Sequence, residues 1–300
     1  PIPVPTSCQQ ENAIVGDFNG DKIPDIAFSV GSGYGSGVAV CLGNGDGTFK
    51  DAVISDAGVQ HGLLATGDFN HDGKLDLAAS DTGGVSILLG NGDGTFKNGI
   101  ATALSGSSFP KFTVGDFNND GKLDLAAVNG NTGEISVLLG NGNGTFQAPV
   151  ATANQGSVGI TSGLLTSSKN LDLVTVSANT LYIFLGNGNG RFGAPTSITV
   201  GCSDAQTNAP LLRDVNGDGK LDLICYNSAG LLVVFLGNGN GTFRTRKTFA
   251  ATSDNNGSIA AADVNGDGLL DVVLFSPRYG SGFDNPLGTL IVYLNQGKSD

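Results

Sequence analysis

The sequence predicts an all-β protein, a six-bladed β-propeller of four-stranded antiparallel blades. Three observations lead to this prediction: an acidic motif recurs along the chain, a glycine-rich motif follows each copy, and no stretch has the period of an amphipathic helix. Four short antiparallel strands per repeat are typical of propeller blades. We therefore expect a single propeller domain over residues 1–300, built from six repeats of about 49 residues.

The acidic motif reads GDFNGDKIPDIAFS from Gly16 and has five well-kept copies. The first aspartates of these copies lie 51, 48, 98 and 49 residues apart, at Asp17, Asp68, Asp116, Asp214 and Asp263. The long interval contains a worn copy, SGLLTSSKNLDLVTV, in which Leu164 replaces the first aspartate and Asp172 is kept. Six repeats thus account for almost the whole chain.

Each repeat reads as four strands. In the second repeat an apolar run, LLATGDF, precedes the acidic loop, and LDLAA and GVSILLG follow it, whereas FQAPVAT of the third repeat typifies the fourth strand. The GNGDG motif between the third and fourth strands supplies glycine and asparagine where a tight hairpin needs positive φ. We interpret this motif as a turn, with a ligand or ion role as the alternative. The recurring phenylalanines are predicted to form the core between blades: Phe49, Phe96, Phe146, Phe192 and Phe243.

The two ends of the chain predict how the ring closes. The sixth repeat runs through GTLIVYLNQGKSD and stops where its fourth strand should begin. The opening residues PIPVPTS match the fourth-strand segment QAPVATA at Gln147. We expect Pro1–Thr6 to complete the last blade, which removes the exposed edge of an open array.

Composition and charge exclude some partners. The formal net charge of −12 argues against a nucleic-acid partner, which favours a basic surface. No run of 18 apolar residues is present, so we expect no membrane span. Apolar residues make up 39% of the chain, which is enough for a packed core.

The acidic motif, D-x-N-x-D-G-x-x-D, places side-chain oxygens at positions 1, 3, 5 and 9 and a backbone carbonyl at position 7. Calcium takes six to eight oxygen ligands of these kinds, whereas Mg²⁺, the alternative, keeps a strict octahedron with several waters. We predict about five Ca²⁺ ions, whose ten positive charges would nearly balance the net charge of −12. The predicted ligands are Asp17, Asn19, Asp21, Ile23 and Asp25; Asp68, Asn70, Asp72, Lys74 and Asp76; Asp116, Asn118, Asp120, Lys122 and Asp124; Asp214, Asn216, Asp218, Lys220 and Asp222; and Asp263, Asn265, Asp267, Leu269 and Asp271.

Two loops depart from this pattern. The first loop has Lys22 where the four other complete copies have glycine. The fourth has Leu164, Thr166 and Ser168 at ligand positions and is predicted to hold no ion. The ions are predicted to be structural, because protein groups occupy every ligand position while a catalytic metal keeps one open. His61 and His71 are interpreted as surface residues, and we predict that the protein is not an enzyme.

These motifs carry a family resemblance. DFNxDGKLDL with LLGNGDGTF resembles the FG-GAP, or VCBS-type, repeat of integrin α-subunit propellers and of many secreted bacterial proteins. The resemblance covers nearly the whole chain and implies a calcium-binding propeller. Similar repeats occur in the integrin ligand-binding head, in a mushroom lectin that binds sugars between blades, and in some polysaccharide lyases, so the resemblance leaves the function open.

Two long loops between second and third strands suggest a ligand site on the face opposite the acidic loops. They are GSGYGSG at 31–37 and SPRYGSGFDNPLG at 276–288, in blades that ring closure makes neighbours. Their candidate ligand-binding residues are Tyr34, Arg278, Tyr279, Phe283 and Asp284. Aromatic faces with an arginine and a carboxylate suit a sugar or an extended peptide. The alternative is that these loops are permissive insertions.

Four cysteines, at 8, 41, 202 and 225, allow two disulfides by count. Strand direction favours a bridge between Cys202 and Cys225, and it places Cys8 and Cys41 too far apart for one. The predicted calcium sites and disulfide favour a secreted or cell-surface protein. We expect a recognition module for a glycan or an extracellular protein ligand, lectin-like or adhesive. The alternatives are a polysaccharide lyase or hydrolase and a display module of a larger surface protein.

Overall fold

The computed structural model describes residues 13–30, 37–56, 62–104, 110–154, 156–177, 179–199, 210–226, 231–244, 246–250, 258–276 and 289–295. Within these ranges the chain forms β-strands and no helix. Membrane-crossing helices are accordingly absent from the described ranges. The chain divides into two compact units, Pro1–Asn154 and Gln155–Asp300.

The first unit contains three four-stranded antiparallel sheets whose strands pair in chain order. The first sheet consists of β1 (Ile14–Gly16), β2 (Asp25–Val30), β3 (Gly37–Cys41) and β4 (Val53–Ser55). The second consists of β5 (Leu64–Gly67), β6 (Asp76–Asp81), β7 (Gly84–Leu88) and β8 (Ile100–Ala103). The third consists of β9 (Lys111–Gly115), β10 (Asp124–Val128), β11 (Glu134–Leu138) and β12 (Val150–Asn154).

The second unit repeats this arrangement. Its first sheet consists of β13 (Gly159–Gly163), β14 (Asp172–Ser177), β15 (Thr180–Phe184) and β16 (Thr196–Thr199). The next consists of β17 (Leu211–Arg213), β18 (Asp222–Tyr226), β19 (Leu231–Phe235) and β20 (Lys247–Ala250). The last has three strands within the described residues, β21 (Ser258–Ala262), β22 (Asp271–Ser276) and β23 (Thr289–Tyr293). Pro1–Thr6, predicted to add its fourth strand, lie outside the described residues.

The two middle strands of most blades are buried on both faces, which explains their nearly continuous apolar sequence. Every residue of β3 and of β7 is buried. Phenylalanines fill the space between blades: the rings of Phe18 and Phe96 lie 5.9 Å apart, and those of Phe69 and Phe146 lie 6.2 Å apart. The predicted inter-blade role is therefore confirmed for Phe96 and Phe146.

Within each unit the first strands of consecutive blades lie against each other, β1 against β5 and β5 against β9, and likewise β13 against β17 and β17 against β21. This is the inner-strand arrangement of propeller blades. The six sheets are the blades of a β-propeller, so the predicted all-β, six-bladed fold is confirmed. The assignment of residues 1–300 to one domain stays a prediction.

One cysteine prediction is wrong. Cys41, fully buried at the end of β3, is disulfide-bonded, and so is Cys225 in β18. The sequence favours only the Cys202–Cys225 bridge, and the bonded Cys41 contradicts the prediction of a single disulfide, while the pairing of Cys41 with Cys8 stays open. Cys8 and Cys202 lie outside the described residues.

Candidate metal and ligand sites

The predicted calcium motif forms the loop between the first and second strands of each blade, here called the acidic loop. In the third blade it runs from Asp116, directly after β9, to Asp124, the first residue of β10. Asp116 Oδ1 accepts the amide N–H of Asp120 at 3.1 Å, and its Oδ2 accepts the amide N–H of Gly121 at 2.8 Å. Asn118 Oδ1 accepts from the Asp120 amide as well, at 2.9 Å. The side-chain oxygens at positions 1 and 3 therefore hold the loop in a tight turn by accepting its own backbone amides.

The same hydrogen bond from the position-6 amide to the position-1 carboxylate occurs in all five acidic loops with a complete motif. It joins Lys22 to Asp17, Gly73 to Asp68, Gly121 to Asp116, Gly219 to Asp214, and Gly268 to Asp263, at 2.7–2.9 Å. In the first three blades, the amide of position 7 donates to the carboxylate of position 5 and thereby lowers the pKa of Asp21, Asp72 and Asp120. These side chains are therefore charged and face solvent.

The position-9 aspartate has a different environment, because it is fully buried and bonded to the backbone on both oxygens. Asp124 Oδ2 accepts the Phe117 amide N–H at 2.8 Å, and its Oδ1 accepts the Gly140 amide N–H at 2.7 Å. The carboxylate thus joins the acidic loop to the end of the third strand. The five other blades repeat this pair of bonds through Asp25, Asp76, Asp172, Asp222 and Asp271.

The carboxylates within each acidic loop repel one another, and this repulsion indicates whether the loop suits a cation. Burial raises the pKa of Asp76, and the negative charges of Asp72 and Asp68 raise it further. The same contributions act on Asp124 and Asp222 in their blades. A divalent cation near positions 1 and 5 would offset this repulsion, and the carboxylate, amide and carbonyl oxygens there are hard ligands of the kind that Ca²⁺ takes.

The donor chemistry of the acidic loops therefore fits Ca²⁺, because positions 1, 3 and 5 carry carboxylate and amide oxygens. No group of three or more His, Cys, Asp or Glu side chains in the described residues is arranged to hold a metal by itself. The position-9 carboxylate differs from the others in being fully buried, with both oxygens bonded to backbone amides. The assignment of Ca²⁺, and of position 9 as a ligand, stays a prediction.

The fourth blade keeps the buried aspartate and lacks the charged ones. Leu164, at position 1, is 47% exposed, and Thr166 donates its hydroxyl hydrogen to Ser168 Oγ at 2.9 Å. Burial raises the pKa of Asp172, and no neighbouring carboxylate contributes to that shift. The loop has no carboxylate at positions 1, 3 or 5, as its sequence predicts.

The turn between the third and fourth strands, here called the GN turn, does more than reverse the chain. A Cβ atom at Gly140 would lie 2.1 Å from the Leu123 carbonyl oxygen, so only glycine allows this close approach. The Gly144 amide donates to the Phe69 carbonyl of the preceding blade at 3.0 Å. Equivalent bonds join Gly94 to Phe18 and Gly241 to Leu165. The GN turn therefore connects neighbouring blades within each unit.

The predicted ligand site lies outside the part of the chain that the structure describes. This applies to all five of its residues, Tyr34, Arg278, Tyr279, Phe283 and Asp284, and to His61. His71 is exposed, as predicted, and occupies position 4 of its acidic loop with a φ of 59°.

The structure contains a cavity that the sequence did not reveal, here called the Glu134 cavity. It has a volume of about 240 Å³ and lies against the third blade and the end of β8. Three of its lining residues carry polar side chains, Asn129, Glu134 and Ser136, and five are apolar, Ala103, Leu104, Ala127, Pro149 and Ala151. Within the described residues no group donates a hydrogen bond to the Glu134 carboxylate.

A β-bulge explains why a glutamate fits here. In the second blade the equivalent residue is Gly84, where a Cβ atom would lie 2.1 Å from the Thr102 carbonyl oxygen. In the third blade Ile135 pairs with Ala153 while Ser136 pairs with Ala151, which leaves one extra residue in β12. A bulge bends the strand and redirects side chains, and bulges are frequent beside functional sites.

A weak signal for this site was present in the sequence. Glu11 and Glu134 are the only glutamates in the chain, although aspartate is frequent. Glu134 begins a third strand, where the second blade has Gly84 and the fourth has Thr180. The isolated glutamate marks the position, but the bulge that makes space for it follows no turn motif.

Comparisons with solved structures agree with the fold. A lectin of Agrocybe aegerita that specifically recognises non-reducing terminal N-acetylglucosamine is 21% identical and matches with a TM-score of 0.65 over 95% of this chain and 80% of its own. A periplasmic gluconolactonase of Pseudomonas aeruginosa is 14% identical, with a TM-score of 0.58 over 93% of this chain and 87% of its own. BBS1N, solved in complex with ARL6DN, is 11% identical, with a TM-score of 0.54 over 91% of this chain and 77% of its own. At these identities the likeness shows the fold alone.

Sequence comparison identifies the repeats themselves. No curated protein sequence matches this chain. The model of the FG-GAP-like repeat matches five segments, residues 17–79, 68–127, 116–164, 165–225 and 214–274. Each of these segments contains an acidic loop or the buried aspartate that ends one, in the blades described above. The matched segments span most of the sequence, and the chain therefore belongs to the FG-GAP-like repeat family.

Proposed function

We propose that this protein is a secreted, calcium-stabilised propeller that recognises glycans without modifying them, and that a sugar ring occupies the Glu134 cavity. The cavity is the observation that carries the proposal. It combines a carboxylate, an amide and a hydroxyl with apolar walls, which is the mixture of groups that small-molecule sites use. Its volume of about 240 Å³ suits a single sugar ring better than a drug-sized ligand.

The chemistry of the lining favours a sugar with an acetamido group. The Glu134 carboxylate would accept from a sugar hydroxyl or an amide N–H, and hydrogen bonds to a charged acceptor are the stronger kind. The Ser136 hydroxyl both donates and accepts. Leu104 and Pro149 offer apolar contacts to a methyl group or to sugar C–H bonds. The similar Agrocybe aegerita lectin recognises N-acetylglucosamine, which supports this class of ligand.

Calcium has a scaffolding role in this proposal. When bound, each ion would neutralise the carboxylates of one acidic loop and fix the turn between the first two strands. The loops lie at the opposite end of each blade from the hairpin that carries Asn129 and Glu134, because strands alternate in direction. The ions would thus stabilise the blade without touching the sugar. The disulfides of Cys41 and Cys225 support an oxidising compartment and hence secretion.

A glycan array on the calcium-loaded protein tests the proposal, followed by calorimetric titration of the best ligand. Glu134→Gln should weaken binding roughly tenfold to a hundredfold, since a hydrogen bond to a charged group is worth about 1.5–3 kcal/mol. Thr180→Ala is the matched control, at the equivalent position of the fourth blade, and should leave affinity unchanged. Absence of binding to every glycan, or full affinity in Glu134→Gln, would overturn the proposal.

An enzyme assay separates recognition from catalysis. The same protein is incubated with gluconolactone, because a gluconolactonase shares the fold, and with uronic-acid polymers, the substrates of lyases. We expect no hydrolysis of gluconolactone and no cleavage of the uronic-acid polymers. Turnover by the wild-type protein that Glu134→Gln abolishes would identify the cavity as an active site instead.

A further inference from the structure

Two GN turns carry a tripeptide that the other described GN turns lack. Asn143-Gly144-Thr145 lies in the third blade and Asn240-Gly241-Thr242 in the fifth. Asparagine, any residue other than proline, then serine or threonine is the acceptor signal for N-linked glycans in secreted proteins. Both asparagines are exposed. A third such tripeptide begins at Asn256, outside the described residues.

The hydrogen bonds of these turns orient the acceptor amide. Thr145 donates to Asn143 Oδ1 twice, from its backbone N–H at 3.1 Å and from its hydroxyl at 2.7 Å. Thr242 does the same to Asn240 Oδ1, at 3.1 and 2.6 Å. Because both donors need an oxygen, the amide orientation is fixed and Nδ2 points away from them. Within the described residues no group accepts a hydrogen bond from either Nδ2.

The other blades provide natural comparisons. Asp46 and Asp93 occupy the same position in the first two blades and accept the same pair of bonds from Thr48 and Thr95. These two aspartates make the same hydrogen bonds as the asparagines but have no amide nitrogen to accept a sugar. The fourth blade has Asn189 with Arg191 in place of the threonine, so that it has the amide without the hydroxyl. Only the third and fifth blades combine both groups among the described turns.

We propose that Asn143 and Asn240 are acceptor sites for N-linked glycans when the chain enters a secretory compartment. In the transfer, the side-chain nitrogen forms a bond to C1 of the first sugar of an oligosaccharide carried on a polyprenyl pyrophosphate. The C1–oxygen bond to the pyrophosphate breaks, the amide loses one proton, and the lipid pyrophosphate leaves. The proposal rests on the proposed secretion and is independent of the Glu134 cavity.

The position of Asn143 is compatible with sugar recognition by the same blade. Its GN turn follows the end of β11, whereas Glu134 is the first residue of that strand. Five residues of extended strand span about 17 Å. A glycan on Asn143 would therefore occupy the end of the blade that carries the acidic loop and leave the cavity open.

The test uses the full chain, expressed with a secretory leader in a eukaryotic host together with a reference glycoprotein. Peptide mapping after glycosidase release in heavy-oxygen water marks each modified asparagine, and the cell lysate is analysed beside the medium. We expect label at Asn143 and Asn240 and none at Asn189. Unmodified Asn143 and Asn240 beside a modified reference would overturn the proposal.

Matched variants sharpen the result. Thr145→Ala should remove the glycan from Asn143 alone, whereas Thr145→Ser should retain it. Arg191→Thr completes the tripeptide in the fourth blade and should create a new site at Asn189. Label that persists at Asn143 in Thr145→Ala would contradict the assignment. The added leader directs the chain into the secretory pathway whether or not it is secreted naturally. Fractionation of the source cells therefore tests natural secretion separately.

Discussion

The acidic loops of the third and fourth blades connect the same pair of strands in different chemical ways. Both end on a buried aspartate, Asp124 or Asp172, whose two oxygens accept a loop amide and the amide of the first GN-turn glycine. The third loop adds charged side chains at positions 1 and 5, whereas the fourth has Leu164 and Ser168 there. The two loops nevertheless lead into strands with the same pairing.

This difference separates two roles that the motif combines. The buried aspartate organises the blade corner through hydrogen bonds and is present in all six blades, including the one without the other acids. The aspartates at positions 1 and 5 are not required for this strand pairing, since the fourth blade lacks them, and we propose that they bind calcium. Variants of the two loops can therefore test each role alone.

The largest expected effect comes from removing the buried aspartate of the fourth blade. Asp172→Ala leaves the amides of Leu165 and Gly186 without acceptors. Each buried unpaired donor costs about 1–3 kcal/mol, so the free energy of unfolding should fall by roughly 2–6 kcal/mol, with or without calcium. Urea unfolding measures it, and Ser167→Ala in the same loop is the control. A loss below about 0.5 kcal/mol would show that the hydrogen bonds of the buried aspartate do not stabilise the blade.

A smaller, calcium-dependent loss is expected in the third loop. Asp120→Asn keeps the oxygen that accepts the Lys122 amide and removes one charge. One ion at a hundred times its Kd contributes about 2.7 kcal/mol, which bounds the loss in calcium, and little change is expected in EGTA. Thermal melts in both buffers measure the difference. Ser168→Asn, at the same position of the fourth loop, should show no calcium dependence, and equal losses in both buffers for Asp120→Asn would contradict a bound ion.

The converse experiment converts the fourth loop into the third. Leu164→Asp, Thr166→Asn, Ser168→Asp and Lys169→Gly restore the acidic motif. At calcium ten times above Kd a new site would add about 1.4 kcal/mol to the free energy of unfolding. Calorimetric titration should also count one more ion than in the wild-type chain. An unchanged count would mean that the motif alone does not make a site.

The smallest effect concerns backbone strain in the first loop. Lys22 has a φ of 68° at the position where four other acidic loops have glycine. Left-handed backbone costs a non-glycine residue about 1–2 kcal/mol, so Lys22→Gly should raise the free energy of unfolding by roughly 1 kcal/mol. Lys97→Gly, at an exposed site without this conformation, should not stabilise the protein. A destabilised Lys22→Gly variant would indicate a specific role for the lysine.

The repeat made most of the fold predictable. Because the acidic and GN motifs recur, the strand order of each blade and the inter-blade positions of Phe96 and Phe146 followed from spacing. The distinct role of position 9 did not follow, since an aspartate in a calcium motif looks like a ligand until its burial and its two amide donors are known. Asp172 was the one sequence signal for this structural role, because the fourth repeat keeps it while lacking the other acidic residues of the motif.

The candidate ligand site was less predictable. Glu134 has a place in a cavity only because the register of β12 shifts beside Ile135, and this shift depends on packing in three dimensions. The disulfide of Cys41 was missed for a related reason, since strand direction fixes which end of a blade a residue occupies and not its distance from another segment.

The number of calcium ions bound per chain tests the central claim most directly. Native mass spectrometry of the metal-free protein during calcium addition counts them in one titration. If the aspartates at positions 1 and 5 bind calcium and the buried position-9 aspartate alone does not, the protein saturates at five ions, one for each complete acidic loop. Six ions would mean that the buried aspartate alone suffices for binding, and none would mean that the acidic loops are stabilised by their own hydrogen bonds without a cation.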